Sequence, residues 1–209
     1  MLSITTPKKL AFVHIPRTAG VFTLNYLRSL GEYTVYNSYD IKDDEWTEEE
    51  LLDLARKPEP SLVHNHSYGW TKRAFREFKN NNWFVFSFIR DPREQICSFY
   101  YYMLQNYPER LLGASSLDEF CHKMGYYKNC LPEFWRELNY FDIFTTRNFA
   151  GFLKTHLRKR YRPKRRENAS ASKGFSFYYE EGLISEESKN IIESSDFFEA
   201  YQFIKARQT

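Results

Sequence analysis

Seven consecutive residues, Trp83–Ile89, read Trp-Phe-Val-Phe-Ser-Phe-Ile. A run this apolar on both alternations suits a strand buried on both faces, which is the situation of a parallel sheet covered by helices. The run therefore predicts an α/β chain, and the flanking pattern agrees with it. Leu10–Ile15 is a short apolar run halted at Pro16 and Gly20, and Val21–Leu30 then carries apolar residues at helical spacing. Tyr33–Tyr36 and Ser61–His64 predict further strands. Asp43–Lys57, with Thr47 as N-cap, and Thr71–Asn80 predict helices. Arg90-Asp-Pro breaks the long run and Arg93–Leu104 follows as a helix. Downstream the pattern predicts helices over Leu117–Met124 and Leu131–Leu138, a strand over Phe141–Thr145 and a helix through His156. A basic loop over Arg162–Gly174 comes next, then helices over Ser185–Glu193, opened by Ser185 and Ser188 in an imperfect capping box, and over Phe197–Lys205. Strands alternating with helices predict a doubly wound parallel sheet. No repeat or low-complexity linker interrupts it, so residues 1–209 are expected to form one domain.

Charge is concentrated. Net charge is +3, yet Lys154–Arg166 holds eight Lys or Arg and no acid, leaving 22 bases against 27 acids in the other 196 residues. A basic strip on a mildly acidic body suits an anionic ligand or surface and argues against bulk nucleic-acid coating. Three cysteines, Cys97, Cys121 and Cys130, with no C-x-x-C, argue against a disulfide scaffold or a cysteine zinc site and fit a reducing compartment. The N-terminal residues show no signal-peptide pattern and no apolar run approaches a membrane span, so a soluble, cytoplasmic protein is expected.

Two segments carry anion chemistry. In His14-Ile-Pro-Arg17-Thr18-Ala19-Gly20, a loop between a strand and a helix presents backbone N–H groups at the positive end of the helix dipole. Arg17 adds charge and Gly20 permits close backbone approach. The spacing is not that of a Walker A loop, and an ordinary strand–turn–helix corner is the plain alternative. In Arg90-Asp-Pro-Arg-Glu-Gln-Ile-Cys-Ser98, the arginine follows a buried strand and the serine lies two turns into the next helix. The pair can hold one anion, or Arg90 and Asp91 can simply cap the helix.

Taken together, these segments resemble the PAPS-dependent sulfotransferases, particularly the carbohydrate-type branch with the heparan and uronyl 2-O-sulfotransferases. That family carries P-K-T-[AG]-G-T-S after its first strand and R-D-P-x-x-R-x-x-S later; this chain has Pro16-Arg-Thr-Ala-Gly20 and Arg90-Asp-Pro…Ser98. The resemblance is clear over residues 10–105 and weaker through Asn168–Gly174 and Asp196–Lys205. It implies a P-loop-like fold. It also implies that Arg17, Thr18, Ala19, Gly20, Val21, Phe22 and Thr23 bind the 5′-phosphosulfate of PAPS, with Arg90 and Ser98 binding the 3′-phosphate. Lys173 and Gly174 match, faintly, an R-K-G nucleotide contact. Arg17 stands where the family has Lys, Val21 and Phe22 replace Thr and Ser, and Gln95 replaces a second arginine.

His64-Asn65-His66 ends a strand, where alternate side chains share a face. A histidine pair at a strand end can be merely structural. The resemblance implies instead that His66 is the general base, with His64 as its hydrogen-bond partner and Arg17 stabilising the leaving phosphate. His14 is read as structural, and Tyr68 and Trp70 as flat surfaces for the acceptor or as core. The expected reaction moves a sulfonate from PAPS to a hydroxyl acceptor, with carbohydrate favoured by the His-x-His. It releases adenosine 3′,5′-bisphosphate and demands no metal. A P-loop small-molecule kinase and a non-catalytic polyanion-binding module are the alternatives.

Overall fold

The computed structural model describes residues 7–41, 45–123, 131–142, 151–154, 157 and 172–206. The chain gathers into two compact units, Met1–Ile89 with Leu131–Glu167, and Arg90–Cys130 with Asn168–Thr209.

The first unit is built on five parallel strands: β1 (Lys9–His14), β2 (Thr34–Asn37), β3 (Ser61–His66), β4 (Phe84–Ile89) and β5 (Asn139–Asp142). Their order is β2-β3-β1-β4-β5. The chain leaves central β1 for the edge, returns through β3, and adds β4 and β5 on the other side. Helices α1 (Gly20–Ser29), α2 (Glu48–Ala55) and α3 (Lys72–Asn80) join the strands. The expected α/β class with a parallel sheet is therefore present. Strand periodicity sorts the core. Leu10, Phe12, Leu62, Phe86 and Phe88 pack with Leu24 and Leu27 of α1 and with Phe152, Leu153 and Leu157. Phe12 and Phe86 stack at 5.1 Å. The next alternate positions along the same strands, toward their carboxyl ends, are His14, His64 and His66.

The Thr47 cap read from the sequence is used as drawn, and Thr71 proves to be a second. Thr47 accepts from the Glu50 amide and Glu50 answers in a full capping box, while Thr71 accepts from the Ala74 amide. One expectation fails: Leu131–Leu138 is not a helix. Only a single tight turn forms at Trp135–Glu137, closed by the Trp135 and Glu137 amides donating to the carbonyls three residues back. Pro132 removes a donor from the segment, and Phe134 gains more by stacking on Phe75 at 4.4 Å. The strand expected over Phe141–Thr145 is realised as Asn139–Asp142, and residues 143–145 lie outside the described ones. The basic strip, apart from Lys154 and Leu157, also lies outside them, as does Cys130.

The second unit, in its described residues, is helical: α4 (Pro92–Asn106), α5 (Leu117–Lys123), α6 (Phe175–Glu180), α7 (Glu186–Glu193) and α8 (Asp196–Ala206). Asp118 of α5 accepts from the Ser185 amide at 2.7 Å, and Ser185 caps α7 by accepting from the Ser188 amide. Cys97 and Cys121 are buried free thiols; burial raises both, Cys121 to about 12, so neither is a ready nucleophile. No helix among the described residues is long and apolar enough to cross a membrane.

Candidate functional site

The loop from β1 to α1 has an unusual backbone. Arg17 and Ala19 both adopt positive φ, at 64° and 60°, a region costly for residues with a Cβ. Left-handed residues interspersed in a turn aim successive N–H groups into one concavity, a form that suits anions. Ala19 sits at the N-cap of α1 and no side chain caps that helix. The first amides of α1 thus lack the partner a Ser or Asp cap would supply. The loop is braced from within: the Thr18 hydroxyl, fully buried, donates to the Ile15 carbonyl at 2.7 Å. Thr18 therefore offers a ligand its backbone and not its side chain. Phe22 leans on the core and on Tyr26, so at this position too only the backbone is available. The Thr23 hydroxyl is buried with no hydrogen-bond partner among the described residues.

Beside the loop, at the carboxyl ends of β1 and β3, lies a connected set of side chains. The Tyr39 hydroxyl is 3.1 Å from His14 Nδ1 and 3.0 Å from His66 Nε2. His14 Nδ1 is also 3.2 Å from His64 Nε2, and His64 Nδ1 is 3.5 Å from Ser38 Oγ. His64 is fully buried, whereas His66 is half-buried and stacks at 5.1 Å on Tyr68, which is 43% exposed. His66 is thus the cluster's histidine nearest solvent. His14 packs against the cradle itself: a Cβ placed on Gly20 would lie 1.9 Å from His14 Nε2. Glycine is required there by contact. Among the described residues no group of three or more His, Cys, Asp or Glu side chains is arranged to hold a metal ion.

Burial holds His14 and His64 well below the usual histidine range, reinforced for His14 by repulsion from His64, His66 and Arg17, and for His64 by His66 and Arg28. Both are therefore neutral near pH 7 and carry a lone pair each. The unfolded chain takes up these protons below about pH 6.5 and the folded chain does not, so stability is full above that value and declines as pH falls. Each histidine contributes a slope of up to about 1.4 kcal/mol per pH unit. Urea unfolding at pH 7.5, 6 and 5 should show the decline, and a flat profile would contradict it.

In the second unit, Arg90 pairs with Glu94 at 3.6 Å, and Glu94 also accepts from the Phe175 amide at 3.0 Å. Gly174, at φ 100°, caps α6, and a Cβ there would meet both Glu94 carboxylate oxygens at 3.4 Å. Lys173 donates its amide to the Tyr178 hydroxyl and lays its ammonium over Phe177. Glu94 thereby ties the segment of Lys173 and Gly174 to Arg90, which the sequence did not disclose. Ser98 is buried on α4. Arg93, absent from the sequence-based site, is a structural clasp: it donates to both Asp91 oxygens and to Glu193, between Phe175 and Phe198.

The sequence-based residues thus fall into two groups, His14 to Thr23 with His64, His66 and Tyr68 in the first unit, and Arg90, Ser98, Lys173 and Gly174 in the second. Trp70 belongs to neither surface. It is 4% exposed, packs edge-on against Phe78 at 4.8 Å and donates its indole N–H to the Asn65 carbonyl. It is a core residue, and the acceptor role expected for it is withdrawn. His64 does support the cluster, but through His14. Tyr39 was missed, because a lone tyrosine after a short edge strand carries no pattern; His14 was noticed only as structural. No family model matches the chain, and no curated protein is similar to it.

Proposed function

We propose that this chain is a P-loop-like, PAPS-dependent sulfotransferase that transfers a sulfonate to a hydroxyl acceptor, a carbohydrate by preference. The observation that supports it most is the uncapped start of α1 behind two left-handed residues, with half-buried His66 on the neighbouring strand. Such a loop suits a phosphate, and such a histidine suits a hydroxyl proton. The amides of residues 18–21 and Arg17 would hold the phosphosulfate and stabilise charge growing on the leaving phosphate. Arg90 and Ser98 are assigned the 3′-phosphate from their place in the R-D-P segment. His66 would take the acceptor proton, with Tyr68 beside it as a flat surface for the acceptor. The arginine fork at position 17 keeps the charge of the family's lysine but spreads it over a plane.

Thermal unfolding with adenosine 3′,5′-bisphosphate, ATP or NAD tests the reading. Ligand at about a hundredfold its Kd stabilises the fold by about 2.7 kcal/mol, which is readily measured. A shift with the bisphosphate alone is expected, and Arg90→Ala should reduce it. A shift with ATP and Mg²⁺ but none with the bisphosphate would point to a kinase and reject the proposal.

A further inference from the structure

The second unit has already set a carboxylate against Arg90. Glu94, one helical turn on, faces the guanidinium through Oε2 at 3.6 Å, beyond hydrogen-bond reach, while its Oε1 accepts from the Phe175 amide at 3.0 Å. We propose that Glu94 is a gate at the nucleotide site: its carboxylate is a built-in counter-ion at Arg90, which the 3′-phosphate displaces on binding and which helps to expel that phosphate when the product leaves. This rests on the reading of Arg90 as the 3′-phosphate residue given above.

The neighbouring acids cannot fill that role. Asp91 gives both its oxygens to Arg93, and Arg93 also takes Glu193. Glu94 is thus the one carboxylate that pairs with Arg90 among the described residues. Its two oxygens have different partners. Oε1 is anchored on a backbone amide, so the carboxylate stays in place without help from Arg90, and Oε2 is left to supply the counter-charge. Gly174 seats it, since a Cβ there would lie 3.4 Å from both oxygens. The segment that anchors Glu94 has spent its own amides. The Lys173 amide donates to the Tyr178 hydroxyl, the Gly174 amide to Ser172 Oγ at 3.4 Å, and the Phe175 amide to Glu94 itself. The attraction for an anion here therefore comes from the Arg90 guanidinium, whose N–H groups make no hydrogen bond among the described residues. The side chains of Arg90 and Glu94 are 28% and 21% exposed, so an anion can reach them from solvent while water screens their charges only in part. A phosphate monoester carries about −1.5 to −2 charge and can engage the guanidinium fork with two oxygens, so it outcompetes a single carboxylate held beyond hydrogen-bond distance. It then lies beside the negative charge that Phe175 keeps in place, and that repulsion loosens the bound nucleotide.

The test is calorimetric titration of the full chain, wild type and Glu94→Gln, with adenosine 3′,5′-bisphosphate, adenosine 5′-monophosphate and inorganic phosphate. Glutamine keeps an oxygen for the Phe175 amide and removes the charge. A unit charge about 4 Å away changes affinity about fivefold even in water. Glu94→Gln is therefore expected to bind the bisphosphate at least about fivefold tighter, with the gain shrinking at about 1 M salt. The 5′-monophosphate lacks the group assigned to Arg90 and is expected to bind both proteins alike. Equal or weaker binding of the bisphosphate by the variant overturns the proposal, as does an equal gain for the monophosphate. Glu94→Ala gives up the amide contact as well; it is expected to show the same gain at a lower Tm, and it decides should Glu94→Gln not fold. Should the bisphosphate bind neither protein while inorganic phosphate binds the variant more tightly, and only when Arg90 is present, the gate stands and the sulfotransferase reading falls. Should wild type and variant bind the bisphosphate equally, the reading stands and the gate falls.

Discussion

Replacing His66 by alanine is expected to lower PAPS-dependent turnover about 10²- to 10⁴-fold, the usual contribution of a positioned general base, while adenosine 3′,5′-bisphosphate stabilises the variant as it does the wild type. The two halves of that result come from different parts of the first unit. The phosphate end of the nucleotide is assigned to amides of the loop and of α1, which do not depend on the His66 ring for their conformation: the loop is braced by Thr18 on Ile15. The proton is assigned to His66 because it is the least buried of the three clustered histidines, with Nε2 facing Tyr39 and Nδ1 buried. His64 cannot take its place, since it is fully buried and both its nitrogens face His14 and Ser38. Turnover unchanged in His66→Ala would remove the residue from the mechanism; a lost thermal shift would mean that the ring holds up the cradle.

The fold was legible where one physical signal decided it. Phe84–Ile89 has no polar alternation, so only a strand covered on both faces suits it, and the structure places it second from an edge of an all-parallel sheet. Helix starts at Thr47, Thr71 and Ser185 were legible because a side-chain oxygen meeting an orphan amide is a local event. Leu131–Leu138 misled because its apolar spacing fits a helix, while the burial of Phe134 against Phe75, 59 positions away in sequence, decides its shape. The division into two units falls between Ile89 and Arg90, at a strand-to-helix junction without linker composition, and so left no mark in the sequence.

The site was legible in the same uneven way. His14, Arg17, Gly20, His64 and His66 stand out because each lies at or just past the end of a short apolar run, and the parallel pairing of β1 with β3 sets His14 opposite His66. Tyr39 could not be found so, since it lies beyond β2 in a single turn and reaches the histidines only through the order of the strands. Trp70 misled for the opposite reason: adjacency to Tyr68 suggested a shared surface, but the turn at Ser67–Gly69 sends one ring out and the other into the core.

Replacing Gly20 by alanine should be the most damaging small change to the fold of this site. The added methyl would lie 1.9, 2.1 and 2.3 Å from three atoms of the His14 ring, where real contacts need more than 3 Å. His14 is 4% exposed and tied to His64 and Tyr39, so the ring can yield only by breaking those bonds. Overpacking costs about 1–3 kcal/mol and an orphaned buried polar group about 1–3, against less than about 1 returned by alanine's helix preference. A loss of about 2–4 kcal/mol in urea unfolding is the expected result. A double-mutant cycle isolates the cause. In a His14→Ala background the ring is gone, and Gly20→Ala should then cost less than about 1 kcal/mol or stabilise slightly, giving a coupling of about 2 kcal/mol or more. Costs that add would show that Gly20 is needed for its backbone and not for the room it leaves. Coupled costs would establish that one imidazole packs the start of α1.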